Sequence, residues 1–320
     1  HIVVACRFSI FSTEGDAVFS KATQKQTRRH WQLYIVILIP LAYIIIFHYF
    51  PMYGVQIAFR NYIPMRGFAG SPWVGLEHFR IFVQSYQFER LIGNTLGISI
   101  YQLIAGFPMP ILLALALNSI ASLRYKKLVQ MTTYAPYFIS TVVMVSIILQ
   151  LLHPQFGIAN EIVKILGGES INFMGRPGLF KSIYVWSGVW QTTGYSAVIY
   201  IAALAGIDPN LHEAAIIDGA TRIQRIRYID FPGILPTATI LLILNMGRVM
   251  NIGFEKIFLM QNPLNMRASD VIATYVYRIG LVSAQFSYSA AIGLFNSIIN
   301  LILLLAVNYA ARRLGETSLW

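Results

Sequence analysis

Asn245, Arg248, Asn251 and Glu255 recur at intervals of three or four residues inside an otherwise apolar stretch, with Ile252 sharing the Asn251 slot. On a helix that spacing stacks side chains on one face. Arg248 stands about 12 residues past Pro236, near mid-bilayer at a rise of about 1.5 Å per residue. A charge that deep costs several kcal/mol unless it faces protein or water. Two arrangements meet the requirement. Arg248 and Glu255, two turns apart, pair and brace a helix bundle, or Arg248 lines a pathway with the two asparagines. Lys256, nearer an interface, can snorkel. Trp190, Gln191 and Tyr195 are further pathway candidates, although aromatics in a membrane helix also serve as packing.

Other chemistry falls away on inspection. His212-Glu213 opens like a zinc-protease motif, but Ile216 stands where the second histidine belongs. Six scattered histidines suggest no metal site. No Gly-Lys pair occurs, so the chain has no P-loop for ATP. One cysteine, Cys6, allows no internal disulfide. No catalytic residue and no cofactor are expected of this chain.

The elements that carry these residues follow from hydropathy. Of 320 residues, 56% are apolar and 12% charged, against about 25% charged in a soluble domain. Mean hydropathy is +0.60. Six apolar stretches, near 31–53, 91–120, 128–152, 182–205, 237–259 and 288–310, each reach the length of a bilayer crossing of about 20 residues. Interfacial aromatics such as Trp31, Tyr53, Tyr184 and Tyr309 flank them. The expected fold is an all-α membrane protein with six transmembrane helices.

The net charge of +11 sits in short runs between apolar blocks, which points to positively charged loops and not to nucleic acid. With an even number of spans, the side holding both termini carries 13 Lys and Arg in 78 residues, against 9 in 94 on the other side. Both termini are therefore expected in the cytoplasm. Residues 1–30 read as a cytoplasmic tail lacking a signal-peptide cleavage site. Residues 31–87 hold the first helix and an outer loop, 88–310 five core helices, and 311–320 a cytoplasmic C-terminal tail. Amphipathic pieces at 76–83 and 158–166 read as short helices on the outer face.

The loop at 206–236 is long for a connector, since helix-to-helix connections normally take about 2–8 residues. Asp208 can cap a helix beginning at Pro209. Leu211, Ala214, Ala215 and Asp218 follow at helical spacing, and Gly219 suits a left-handed stop. Thr221 opens a second short helix expected to end before Pro232, with Pro236 preceding the next span. The loop reads as helix, tight turn, helix. Small residues at 214, 215, 219 and 220 leave a surface that another protein can approach closely.

The run Glu213-Ala214-Ala215-Ile216-Ile217-Asp218-Gly219-Ala220, continuing through Ile229, Pro232 and Pro236, resembles the EAA loop of binding-protein-dependent ABC importer permeases. Asn94-Thr95-Leu96, Pro136-Tyr137-Phe138-Ile139-Ser140 and 202–209 are similar to sugar-importer permeases. Pro51-Met52-Tyr53-Gly54 and Ser71-Pro72-Trp73-Val74-Gly75 resemble the polysaccharide branch, which includes alginate importers. The resemblance implies a type I ABC importer permease in the bacterial inner membrane. Glu213, Ala214, Ala215, Asp218, Gly219, Ala220 and Pro232 would belong to its cytoplasmic coupling loop. It also implies a second permease as heterodimer partner, two ABC ATPase subunits that use ATP and Mg, and an extracytoplasmic solute-binding protein. The substrate implied is an oligosaccharide, and Arg248 favours an acidic, alginate-like one. The alternatives are a neutral-sugar importer, an ion-coupled secondary transporter using Arg248 and Glu255, and a structural scaffold.

Overall fold

A computed structural model describes residues 31–313; the tail expected at 1–30 and residues 314–320 lie outside the described residues. The chain divides into two compact units, one ending at Val55 and the other beginning at Gln56. In the first unit the helical run α1 begins, Trp31–Phe59, apolar around its whole circumference and without a buried residue before Ala58. Its middle widens into a π-turn, Ile45–Tyr49, where Phe50 N–H donates to Ile45 O five residues back. Pro51 follows, and the wider turn makes room for a ring that would otherwise clash with the preceding turn.

The second unit is helical. The helices are α2 (Glu77–Gln84), α3 (Phe88–Asn118), α4 (Leu123–Tyr134), α5 (Thr141–Leu151), α6 (Ile158–Ile165) and α7 (Pro177–Ala205), followed by α8 (Pro209–Ile217), α9 (Arg222–Met246), α10 (Phe254–Met260), α11 (Ile272–Val282) and α12 (Phe286–Arg313). The two amphipathic pieces are helices as expected, α2 burying Phe82 and α6 burying Asn160. Between α1 and α2 the chain folds back on itself. Val74 N–H donates to Phe59 O at 2.9 Å, Trp73 stacks on Phe59, and Arg60 Nη1 donates to Phe68 O and Ser71 O.

Among the described residues, four helices are long and apolar enough to cross a membrane, or five if α4 and α5 form one bent span. The expected span at 182–205 corresponds to α7, which has 29 residues but is less apolar. Its position explains the composition. α7 is packed against α3, α4 and α9, and eight of its residues are buried, so less of its surface needs to suit lipid. Gly194 lets it approach α4 so closely that a Cβ there would collide with the carbonyl oxygen of Thr133. Three apolar cores result. Ile98, Val185 and Ile257 mark the first, Ala114, Ala197 and Ile234 the second, and Phe82, Leu91 and Ile292 the third.

Four expectations need correction. The stretch 128–152 is not one helix: it bends by 99° at residues 139–140, where Pro136 ends α4 in a 3-10 turn and Ser140 recaps α5 by accepting from Val143 N–H. The helix opened by Thr221 does not end before Pro232. It continues to Met246 through a π-turn, Ile226–Asp230, and both Pro232 and Pro236 lie inside the run. The physical device is the one used before Pro51, with Phe231 N–H donating to Ile226 O. The stretch 237–259 breaks after Met246, and residues 247–253 connect it irregularly to α10. Finally, 260–287 is not simply a loop, since it contains the apolar helix α11.

Candidate translocation cavity and docking loop

The break in the fifth stretch opens a cavity of about 390 Å³. Ser99 and Gln102 come from α3, Thr192 and Ser196 from α7, and Asn245, Arg248 and Asn251 from the end of α9 and the irregular segment. That volume lies within the usual range for ligand sites, about 300–1,000 Å³. It lies beside the middle of α3, between Ser99 and Pro110, and beside the second half of α7, between Thr192 and Tyr200. Irregular backbone within a membrane span must find partners other than lipid. Asn300 Oδ1 accepts from Met250 N–H at 3.0 Å, and Asn251 Oδ1 accepts from Asn296 and Asn300 at 3.0 and 3.1 Å. Three asparagines thus hold the unwound segment against α12.

The structure brings Asn245, Arg248 and Asn251 together at this cavity, though not by helical stacking, because the helix stops at Met246. Arg248 and Glu255 form no ion pair: the two-turn register assumed a continuous helix, and Glu255 instead sits in the first turn of α10. Among the described residues Arg248 has no side-chain hydrogen-bond partner. Lys256 does not snorkel. Its Nζ donates to Tyr184 O at 2.7 Å and lies 4.5 Å from the Tyr184 ring centroid. Gln191 Nε2 donates to Ile139 O at the α4–α5 bend, and Tyr195 stacks on Tyr137 at 4.0 Å. Trp190 is exposed and lies outside the cavity lining.

The loop after α7 has the expected grammar. Asp208 accepts from Asn210 N–H at 2.9 Å, with Pro209 as the first residue of α8. Gly219 has φ +78°; its N–H donates to Ile216 O and the next N–H, of Ala220, to Ala215 O. That pair of bonds is a Schellman stop. Thr221 and Gln224 then form a reciprocal capping box. Glu213, Ala214, Asp218, Gly219 and Pro232 are exposed, while Ala215 and Ala220 are half-buried. Leu211, Ile216, Ile217 and Ile223 are exposed as well, so this loop presents an apolar face with no cover.

Sequence reading missed a charge cluster at the other end of α7. Asp270 is fully buried and receives Arg278 Nη2 at 2.8 Å, Arg90 Nη2 at 3.5 Å and Thr274 Oγ1 at 3.1 Å. Asn94 Nδ2 donates to the carbonyls of Arg267 and Asp270. Nearby, Asn262 and Asn265 both donate to Met174 O, tying the same loop to the start of α7.

Residues 106–316 match the family described as binding-protein-dependent transport system inner membrane component. The chain belongs to this family. The permease is 41% identical over 289 residues to the polygalacturonan/rhamnogalacturonan transport system permease protein YteP of Bacillus subtilis, covering 90% of each chain. It is 38% identical over 308 residues to Protein LplB of the same organism, covering 96% of each. Among solved structures it resembles a bacterial ABC transporter involved in the import of the acidic polysaccharide alginate. Identity is 39%, the TM-score is 0.85, and the match covers 92% of this permease and 99% of that chain. A bacterial alginate ABC transporter in complex with an alginate pentasaccharide-bound periplasmic protein matches with TM-score 0.86 at 38% identity, covering 93% and 100%. The permease therefore has the type I ABC permease fold and is a multi-pass membrane protein whose relatives include a named transport system permease.

Proposed function

We propose that this permease forms one half of the translocation pathway of an ATP-driven importer for acidic oligosaccharides. The observation that carries the reading is Arg248, a cation bordering a cavity that mixes hydroxyl and amide groups with apolar side chains such as Leu103, Phe107 and Ile199. Hydroxyls and amides suit a sugar's hydroxyls, and a guanidinium takes a uronate carboxylate in a charge-assisted pair. Relatives named for polygalacturonan and alginate support the same substrate class. A second permease, two ATPase subunits and an extracytoplasmic binding protein complete the machine, and ATP and Mg belong to the ATPases. Loop 206–236 is the coupling segment: closure of the ATPase pair moves α8, the pathway opens outward to receive sugar, and hydrolysis resets it inward.

The reading places both termini and loop 206–236 in the cytoplasm, with six crossings. A tag after Trp320 and a cysteine probe in that loop should be inaccessible in intact cells, whereas a probe in 153–181 should react from outside. External labelling of the C-terminal tag would overturn the orientation and the coupling assignment with it.

The substrate is tested by reconstituting the complex with its binding protein and comparing ATP hydrolysis across neutral and acidic oligosaccharides. Arg248→Gln should lower acidic-sugar uptake about tenfold, the loss of one charged hydrogen bond, while assembly is retained. Normal uptake by an assembled Arg248→Gln complex removes the pathway role. Equal stimulation by neutral sugars favours a neutral-sugar importer, and uptake that survives ATP depletion but collapses with the ion gradient a secondary transporter.

A further inference from the structure

Asp230 is buried at the end of the π-turn that opens α9, with only 4% of its surface exposed. Its Oδ1 lies 3.3 Å from His212 Nε2 and 3.3 Å from Asn118 Nδ2. The three side chains come from three elements: α8, the last residue of α3, and α9. A buried carboxylate is costly unless it is hydrogen-bonded, so this cluster holds the three elements in one arrangement.

What surrounds the cluster gives it more weight than an ordinary polar contact. α8 has no buried residue, so no apolar core fixes it to the bundle. Beneath it lies a cavity of about 560 Å³ bordered by Asn118, His212, Glu213, Arg222, Arg225 and Asp230. A helix over a cavity can tilt into it when pushed. His212 is the side chain of α8 that reaches across to the buried carboxylate, and it is half-buried while Leu211, Glu213 and Ala214 on either side are exposed.

We infer that His212 is a positioning residue for coupling. Through Asp230 it fixes α8 to the start of α9 and the end of α3, so that force applied to α8 moves the membrane helices and does not merely rock α8 over its cavity. This inference rests on the coupling reading of loop 206–236. His212 lies outside the cavity bordered by Arg248; it acts through Asp230.

The test uses the whole complex in liposomes with its binding protein, reading sugar molecules transported per ATP hydrolysed. His212→Leu removes the imidazole that faces Asp230 and should lower that ratio about fivefold, a loss on the scale of one ordinary hydrogen bond. His212→Gln, which restores an Nε2 donor, should recover at least about half of it. A purely structural role would lower complex yield and leave the ratio of the surviving complex alone. If His212→Leu keeps the parental ratio, or His212→Gln is no better than His212→Leu, the inference is wrong. Should His212→Leu fail to assemble, Asn118→Ala is read in its place, because it removes the other partner of Asp230. A drop of about twofold or more supports the inference, and an unchanged ratio overturns it. Gly219→Val is run alongside. If it too keeps the parental ratio, the coupling reading has failed; if it uncouples while His212→Leu does not, only the His212 role has.

Discussion

Replacing Gly219 by valine should leave the helices inserted and abolish the stimulation of ATP hydrolysis by loaded binding protein. Gly219 has φ +78°, where a β-branched residue is strained by about 1–2 kcal/mol. Space is not the issue, since a Cβ at this position meets nothing within 4 Å. The strain falls on the backbone, and the inexpensive relief is to give up the two bonds that end α8, from Gly219 to Ile216 and from Ala220 to Ala215. Ile217 and Asp218 then move, and with them the exposed face proposed to meet the ATPase. Gly219→Asn should be much milder, because asparagine tolerates the left-handed region. Glu213→Ala should be mild as well, a lost contact on an exposed side chain. Co-purification of ATPase subunits, hydrolysis and uptake are measured together. A Gly219→Val complex that keeps its partners and transports at the parental rate would falsify the coupling assignment.

The second large effect is expected at the opposite end of the bundle. Asp270→Ala takes the shared partner from Arg90 and Arg278 and leaves Thr274 Oγ1 without its carboxylate acceptor. Breaking a buried pair by removing one member costs about 3–5 kcal/mol. Both arginine side chains are about one-third exposed, at 38% and 35%, so water recovers part of that. A loss of about 2–4 kcal/mol remains, enough to deplete the folded complex. Thermal stability of the purified permease complex is the measurement. Asp270→Asn combined with Arg278→Gln should recover part of the loss, as expected for residues in direct contact. An Asp270→Ala protein as stable as the parent would show that the cluster anchors nothing.

How much of this was visible in the sequence depended on the range over which each feature is decided. The caps of α8 and α9 are set by neighbours within a few residues, and Asp208, Pro209, Gly219 and Thr221 behave in the structure as their types require. The break at 247–253 is decided at long range. Residues 247–253 leave the helix because Asn296 and Asn300, some 45–50 positions away, supply partners for Asn251 and the Met250 N–H. A hydropathy window averages across such a gap. The grouping of Arg248 with Asn245 and Asn251 was readable even so, because all three border one cavity despite the break. The pairing of Arg248 with Glu255 was not, because that inference needed the helix to continue. Asp270 was missed for a related reason: Arg90 lies 180 positions away, and although Thr274 and Arg278 stand only 4 and 8 positions on, they fall in what reads as a loop. Pro232 and Pro236 misled in the opposite direction, since the π-turn before them keeps the helix intact.

That uninterrupted helix has a mechanical consequence. α9 runs 25 residues from Arg222, just after α8, to Met246, two residues short of Arg248. At about 1.5 Å per residue it is a rod of about 37 Å. A tilt of about 10° about its Thr221 end would sweep the far end through about 6 Å, more than the rise of one helical turn. The π-turn, Pro232 and Pro236 do not divide that run, so under the proposed coupling a small displacement at the α8 end would reach Arg248 enlarged, as at the long arm of a lever.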